Sequence, residues 1–539
     1  MTPALRSWFL CAGLLLGTAF LAFWSLGSLP LIDVDEPVYG QVGKEMAHAS
    51  LANWLSPHYG GQLWFDKPPL FYWLTALSMR VFGVSEFAAR LPSALLSVAL
   101  IAATYALARR ACPAAPSAAL WSGFVLATSL QFFTLARAAV TDMTLAVCLT
   151  LALYGLYAWT QTNRGRWIAL AGLMTGFGML AKGPVALVLI GVQALVYLLL
   201  TRSAKRLLTP PLWLGFALCL AIGLPWFGLM IHLHGQLFIS GFLEANNVTR
   251  YLQAEHRETS PFWFFLPVLL GGFFPWSLLL PAALVSAWRQ GKVAYHAQAA
   301  DNPALFLGLW IVLVFVFFSA SQSKLVTYIF PLYPAAAVLV GVWLTAQSET
   351  YAAQKQTRRE TLSLFVPLWI YAILLFVFDG FLQQLGHKYQ IAPVTLTLWR
   401  SVTFPAVAFC ILGGGRIWLL PGLVTAAILL IAWCSPTWQV READISDRQI
   451  GVFASLTTPP DTVVHALGLK HPSLRYYTTW PVVYTDDHPG AARDIQQHPG
   501  VVYALRPKVL DELRTKYGVT HFETLQQNTQ TVLIRAAGK

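Results

Sequence analysis

Charge is what this chain has least of: 11% of its 539 residues are Asp, Glu, Lys or Arg, against about 25% in soluble proteins. So few cannot clothe a water-exposed surface of that size. Cysteine is scarce as well. Its six copies, Cys11, Cys112, Cys148, Cys219, Cys410 and Cys434, lie in or beside apolar runs without CxxC or Cys/His spacing, which supports neither a disulfide framework nor a cysteine metal site. The chain has no GxxxxGK[ST] loop and no GxGxxG after a strand, so no nucleotide cofactor is expected. No internal repeat or low-complexity tract is present.

Apolar length is what the chain has instead. It is 56% hydrophobic and 14% aromatic, with many runs near the about 20 residues that cross a bilayer as a helix. This predicts an α-helical polytopic membrane protein. The formal charge of +12 reads as cytoplasmic-loop topology rather than as nucleic-acid binding. Arg6 precedes an apolar run to Ile32 that has no small-residue cleavage site, which predicts a retained first span rather than a removed signal peptide.

With the N-terminus inside, span 1 (residues 8–32) exits at an acidic cluster, Asp33, Asp35 and Glu36. If both 68–83 and 90–108 crossed, Arg109 and Arg110 would face outward, against the positive-inside bias. The shorter segment is therefore expected to lie along the outer interface, and the first outer loop to run from 33 to 89. Further spans at 117–135, 140–160, 167–181, 184–200, 211–231, 261–287, 303–320, 325–345, 361–379, 399–413 and 417–434 then place "NRGR", "TRSAKR", "RQGK" and "QKQTRR" in the cytoplasm. The count is thirteen. Residues 1–435 form the membrane domain, and 436–539 turn polar, with the strand-like runs "DTVVHALGL", "WPVVYT", "GVVYAL" and "TVLIRA" around a helical "KVLDELRTKYG". That pattern predicts a small C-terminal α/β domain on the periplasmic side.

On this topology the unusual polar residues share one face. Asp35 and Glu36, Asp66 and Lys67 in "FDKPP", Arg137 and Asp142 in "ARAAVTDM", Lys182 in "AKGP", Arg250 and His256 in "NNVTRYLQAEH", and Lys324 and Tyr328 in "SKLVTY" all fall at outer span ends or in outer loops. Loop charges are ordinarily just solvated, but ionisable groups at membrane depth are costly and tend to mark function. Carboxylates beside lysines and an arginine suit transfer from a lipid-borne phosphate: a carboxylate takes a proton from an acceptor hydroxyl, and the cations neutralise the leaving phosphate.

The ordered series of DE after span 1, "WFDKPPLFYWL", "ARAAVTDMTLA", "GMLAKGPVAL", "GFLEANNVTRYLQAEHRETSPFWFFLPVLLGGFFPW" and "SKLVTYIFPLYP" resembles the GT-C glycosyltransferases of the protein-mannosyltransferase and ArnT-like group. The resemblance covers residues 1–345 and implies thirteen spans with a C-terminal periplasmic domain. It also implies transfer of a sugar, 4-amino-4-deoxy-L-arabinose in ArnT-like enzymes, from undecaprenyl phosphate to lipid A or another lipopolysaccharide group at the bacterial inner membrane. By the same resemblance Asp35 is the catalytic aspartate, with Glu36 its acidic neighbour and Asp142 a second cavity aspartate. Lys67, Lys324 and Tyr328 face the donor phosphate, and of Arg250 and Arg257, either of which reaches a phosphate, the Asn-x-x-Arg context of the sequence favours Arg250. Asp66 and His256 match positions that hold a divalent metal, and an imidazole with a carboxylate suits Zn or Mn. The chain departs from the ArnT-like pattern in reading "DEPVYGQV" after span 1 and Asp66 where Glu precedes the Lys-Pro.

Other readings stand beside these. Asp35 and Glu36 also suit the N-terminus of an interfacial helix, Asp66 and Lys67 a surface ion pair, and His232 or His234 are alternative metal ligands. Lys182 reads as part of a tight turn and is left out of the core site. An acceptor Ser or Thr on protein would keep the donor and change the product. A transporter would put charges at mid-span in paired halves, and here they sit at span ends.

Overall fold

The computed structural model describes residues 3–249, 261–297, 301–352 and 446–538. The expected spans at 361–379, 399–413 and 417–434 lie outside the described residues.

The first span is shorter than its apolar run. Helix α1 (Pro3–Phe23) stops nine residues before Ile32, because Ser25 takes a positive φ of 52° and the chain then turns through Gly27 and Pro30. The carbonyls freed where the helix ends are taken up by two arginines from elsewhere. Arg137 donates to Leu21 and Trp24, and Arg90 to Leu26, Leu29 and Pro30.

The segment 33–89, expected as an outer loop, is structured. Helix α2 (Asp35–His48) packs on α3 (Leu70–Phe82), with the short hairpin β1 (His58–Tyr59) and β2 (Gln62–Leu63) between them. Next come α4 (Glu86–Ala111), capped by the Ser85 hydroxyl, and the elbow of α5 (Pro116–Ala127) and α6 (Leu130–Ala136), bent by 68°. Helices α7 (Asp142–Thr162), α8 (Gly165–Lys182), α9 (Val185–Leu200) and α10 (Pro210–His234) complete the first bundle. Helices α8 and α10 meet through small residues: a Cβ on Gly172 would stand 2.0 Å from the Gly215 carbonyl oxygen. Glycine at 172 is what lets the two backbones touch.

The run expected to span 261–287 is broken. A short helix, Phe265–Gly272, ends before Pro275, and a new helix begins at Leu280. Backbone freed by a break must be satisfied inside the protein, and the α5–α6 elbow does this. The Leu130 amide donates to the Phe274 carbonyl at 3.1 Å, and the Trp276 indole to Thr128 Oγ1 at 2.9 Å. Two breaks in two helices lock together. By length and apolarity, five described helices suffice to cross a membrane, or six with the elbow as one bent span.

Residues 446–538 carry a five-stranded sheet in the order β4-β3-β5-β7-β6, where β3 is Val464–Leu467, β4 Val482–Thr485, β5 Val502–Leu505, β6 Phe522–Gln527 and β7 Val532–Ala536. Strand β3 pairs in parallel with β4 and β5, whereas β7 is antiparallel to β5 and β6. Alternation splits the core between two faces. Tyr503 and Leu505 pack with Ile495 and Leu513 on one, and Val502 and Ala504 with Ile450 and Leu474 on the other.

Candidate functional site

Four segments distant in sequence bring charged ends together. Asp35 opens α2, Asp142 opens α7, Lys182 closes α8, and Asp66 and Lys67 occupy the turn before α3. A carboxylate suits a helix N-terminus and an ammonium a C-terminus, because each opposes the partial charge there. Sequence local to each helix end therefore favours these residues before any of them meet.

Asp142 and Lys182 meet most closely, with Lys182 Nζ 2.5 Å from Asp142 Oδ1 and both side chains about nine-tenths buried. The same ammonium lies over the Tyr328 ring, 4.8 Å from its centroid, a cation–π contact. Lys67 Nζ stands 3.0 Å from each carboxylate oxygen of Asp66. Asp35 reaches solvent, and among the described residues no hydrogen bond or ion pair engages its carboxylate. Partial burial raises the Asp35 pKa above the ordinary carboxylate value. The nearby Asp142 and Asp66 push the same way, and Lys67 and Lys182 oppose them. These mutual effects place Asp35, Asp66, Lys67, Asp142 and Lys182 in one electrostatic neighbourhood.

Glu36 is the adjacent residue and has a different fate. Only 5% exposed, it receives Arg90 Nε at 2.9 Å and the Ala139 amide at 2.6 Å on Oε1, and Arg90 Nη2 at 2.7 Å and the Ile32 amide at 2.9 Å on Oε2. Both oxygens are saturated by protein donors, which ties the irregular segment before α2 to α4 and to the loop entering α7. Arg137 is likewise spent on the end of α1.

Lys182 is the residue that sequence reasoning left out. A turn does follow it, with Gly183 at φ 95°, but the turn presents the lysine to Asp142 instead of to solvent. The available signal was a lone cation at the C-terminal end of an apolar helix. Lys324 Nζ donates to the Ser321 carbonyl at 2.5 Å, in the loop that also carries Tyr328. Arg250 and His256 lie outside the described residues.

Of the expected metal pair, only Asp66 lies among the described residues. Asp66 faces the Lys67 ammonium on both oxygens, which already offsets its charge. Of the alternative imidazoles, His234 bonds Ser56 at 2.8 Å and packs on Phe65. Among the described residues no group of three or more His, Cys, Asp or Glu is placed to hold an ion.

Residues 66–228 match the family model described as dolichyl-phosphate-mannose-protein mannosyltransferase. The chain is 33% identical over 360 residues to undecaprenyl phosphate-alpha-4-amino-4-deoxy-L-arabinose arabinosyl transferase 1 of Pseudomonas fluorescens, covering 64% of this chain and 60% of that one. It is 31% identical over 413 residues to the arabinosyl transferase of Pseudomonas aeruginosa, covering 74% and 69%. The chain thus spans less than two thirds of the first of these relatives and slightly more of the second. The crystal structure of ArnT from Cupriavidus metallidurans bound to undecaprenyl phosphate superposes with a TM-score of 0.80 at 22% identity, covering 98% of this chain and 99% of that one. That likeness establishes the helical fold.

Proposed function

The chain belongs to the undecaprenyl phosphate-4-amino-4-deoxy-L-arabinose arabinosyl transferase family of GT-C glycosyltransferases, and from that premise we propose that it transfers a sugar from a polyprenyl-phosphate donor to lipid A or another lipopolysaccharide group. The observation that carries this reading is the gathering of Asp35, Asp66, Lys67, Asp142 and Lys182 from four segments, with one carboxylate left unengaged among paired charges.

In this reading the bond between the sugar anomeric carbon and the carrier phosphate oxygen breaks, and a bond to the acceptor oxygen forms. Lys67, with Lys324 and Arg250, compensates the charge on the departing phosphate, and the Lys182 ammonium, lying on Tyr328, holds Asp142 in place. Asp35 accepts the proton of an acceptor hydroxyl. For an already ionised lipid A phosphate, which needs no base, it faces the positive charge that develops on the sugar ring. Its raised pKa suits the first role by strengthening it as a base.

The membrane arrangement belongs to the same proposal. Thirteen spans in a bacterial inner membrane place the N-terminus in the cytoplasm, and residues 436–539 with the site on the periplasmic face, where nucleotide donors are scarce and a lipid-borne sugar is at hand. A Zn or Mn ion on Asp66 and His256 is a separate proposal, tested by elemental analysis of active protein.

The test is mass spectrometry of lipid A and periplasmic glycopeptides from cells with and without the gene, complemented by wild type or Asp35→Asn. A sugar-sized mass restored to lipid A by wild type and not by Asp35→Asn is the expected result. Loss confined to glycopeptides selects transfer to protein Ser or Thr, and full activity of Asp35→Asn overturns the assignment of Asp35.

A further inference from the structure

The proposed reaction asks nothing of residues 446–538, yet that region grips the segment that delivers Asp35. Two residues before it, Asp33 accepts the Ser473 backbone N–H at 2.9 Å and the Ser473 hydroxyl. Ser473 is fully buried, and its oxygen in turn accepts the Asp447 amide at 2.8 Å, while the Asp447 carboxylate holds His471 at 2.7 Å. The Tyr477 hydroxyl receives the Leu31 amide at 2.8 Å and lies 3.1 Å from Glu86 Oε1, to which it donates. On the far side of Asp35, Lys44 of α2 donates to the Tyr476 carbonyl at 2.8 Å. Gly40 lets the Tyr476 ring against the helix, since a Cβ there would come within 3.1 Å of that ring.

Residues 31–36 are thus pinned from two directions. The helix Pro472–Tyr477 fixes Leu31 and Asp33, and the Arg90–Glu36 pair fixes the other end from the membrane bundle. Asp35 lies between the two clamps with its own carboxylate unheld, so its aim is set by its neighbours' bonds. We propose that Ser473 and Tyr477 are positioning residues for Asp35, and that the C-terminal α/β region is a working component of the active centre. The inference rests on the reading of Asp35 given above. A buried hydroxyl that holds the residue next but one to a reacting carboxylate acts on orientation, and a misplacement of 1 Å can cost about a hundredfold in rate.

The experiment uses the full chain in detergent or nanodiscs, with a polyprenyl-phosphate sugar donor and lipid A, comparing Ser473→Ala, Ser473→Thr, Tyr477→Phe and Asp35→Asn, with rates normalised to folded protein. Ser473→Ala and Tyr477→Phe are expected to lower kcat about tenfold or more at a donor KM within twofold of wild type. Ser473→Thr, which keeps the hydroxyl, is expected to recover most of the loss. Wild-type kcat in both Ser473→Ala and Tyr477→Phe overturns the proposal, as does equal impairment of Ser473→Ala and Ser473→Thr or a rise in donor KM that accounts for the loss. Asp35→Asn separates the two levels: if it is inactive while the other variants run at the wild-type rate, only the positioning inference falls, and if it is fully active the reading of the site falls with it.

Discussion

Replacing Glu36 by Gln separates an anchor from a catalyst at adjacent positions. The carboxylate accepts four hydrogen bonds, two on each oxygen. A carboxamide has one accepting oxygen, so in either orientation its NH2 confronts two donors. Hydrogen bonds to charged groups contribute ~1.5–3 kcal/mol each, so two lost bonds cost ~3–6 kcal/mol. The same change leaves the Arg90 guanidinium, 4% exposed, without its countercharge, and breaking a buried pair on one side costs ~3–5 kcal/mol. These are two views of one loss and are not summed. At ~1.4 kcal/mol per tenfold, the unfolding equilibrium shifts by roughly a hundredfold to about twenty-thousandfold. Asp35→Asn, which removes no bond among the described residues, is expected to change stability by no more than about 0.5 kcal/mol and turnover by ~10²-fold or more. The assay is thermal unfolding in detergent, followed by reaction of the buried Cys148 and Cys219 with a fluorogenic maleimide, beside single-turnover rates on the same preparations. Glu36→Gln with a wild-type melting curve and no turnover would put Glu36 in the chemistry and refute the anchoring argument.

Asp142→Asn and Lys182→Met should each destabilise the protein by ~3–5 kcal/mol, and the double variant by clearly less than their sum; additive losses in the same melting assay would show that the pair is not coupled. Docking of the C-terminal region should weaken as pH rises. Burial lifts the Asp33 carboxyl from 3.8 to about 6, with Asp447 adding to the rise while Ser473 and His471 oppose it. The hydrogen bond to Asp447 raises His471 against its burial and the nearby Arg506. Both folded-state values are raised, so the stabilisation is complete below the unfolded values and is lost as pH climbs through the folded ones. Melting temperature should therefore fall between pH 5 and pH 8, less so in Asp33→Asn, and an opposite trend would refute the sign. A reporter active only in the periplasm should be active when fused after Ser435 and silent after Arg359, and the reverse would refute the thirteen-span arrangement.

Helices and strands were legible because their signals are local. An apolar run of membrane length must satisfy its own backbone and becomes a helix wherever it sits, and Asp142 or Lys182 at a helix end is favoured by that end alone. The alternation of Val502, Tyr503, Ala504 and Leu505 between two cores is equally local, and the ordered motifs already resembled the family to which the chain belongs. What depended on distant neighbours was not legible. Asp35 and Glu36 are chemically near twins one position apart, and only packing against Arg90, 54 residues onward, saturates one and leaves the other open. Lys182 reads as part of a turn until Asp142, 40 residues earlier, stands 2.5 Å away. The continuous apolar run of 261–287 concealed a break that the α5–α6 elbow makes affordable by taking up the freed backbone groups. Ser473 reaches Asp33 across 440 residues. Local sequence chose the elements and their end charges; which charges meet, and which one stays unengaged, was decided by tertiary packing, because a buried ionic group settles only where distant parts of the chain supply its countercharge and hydrogen bonds.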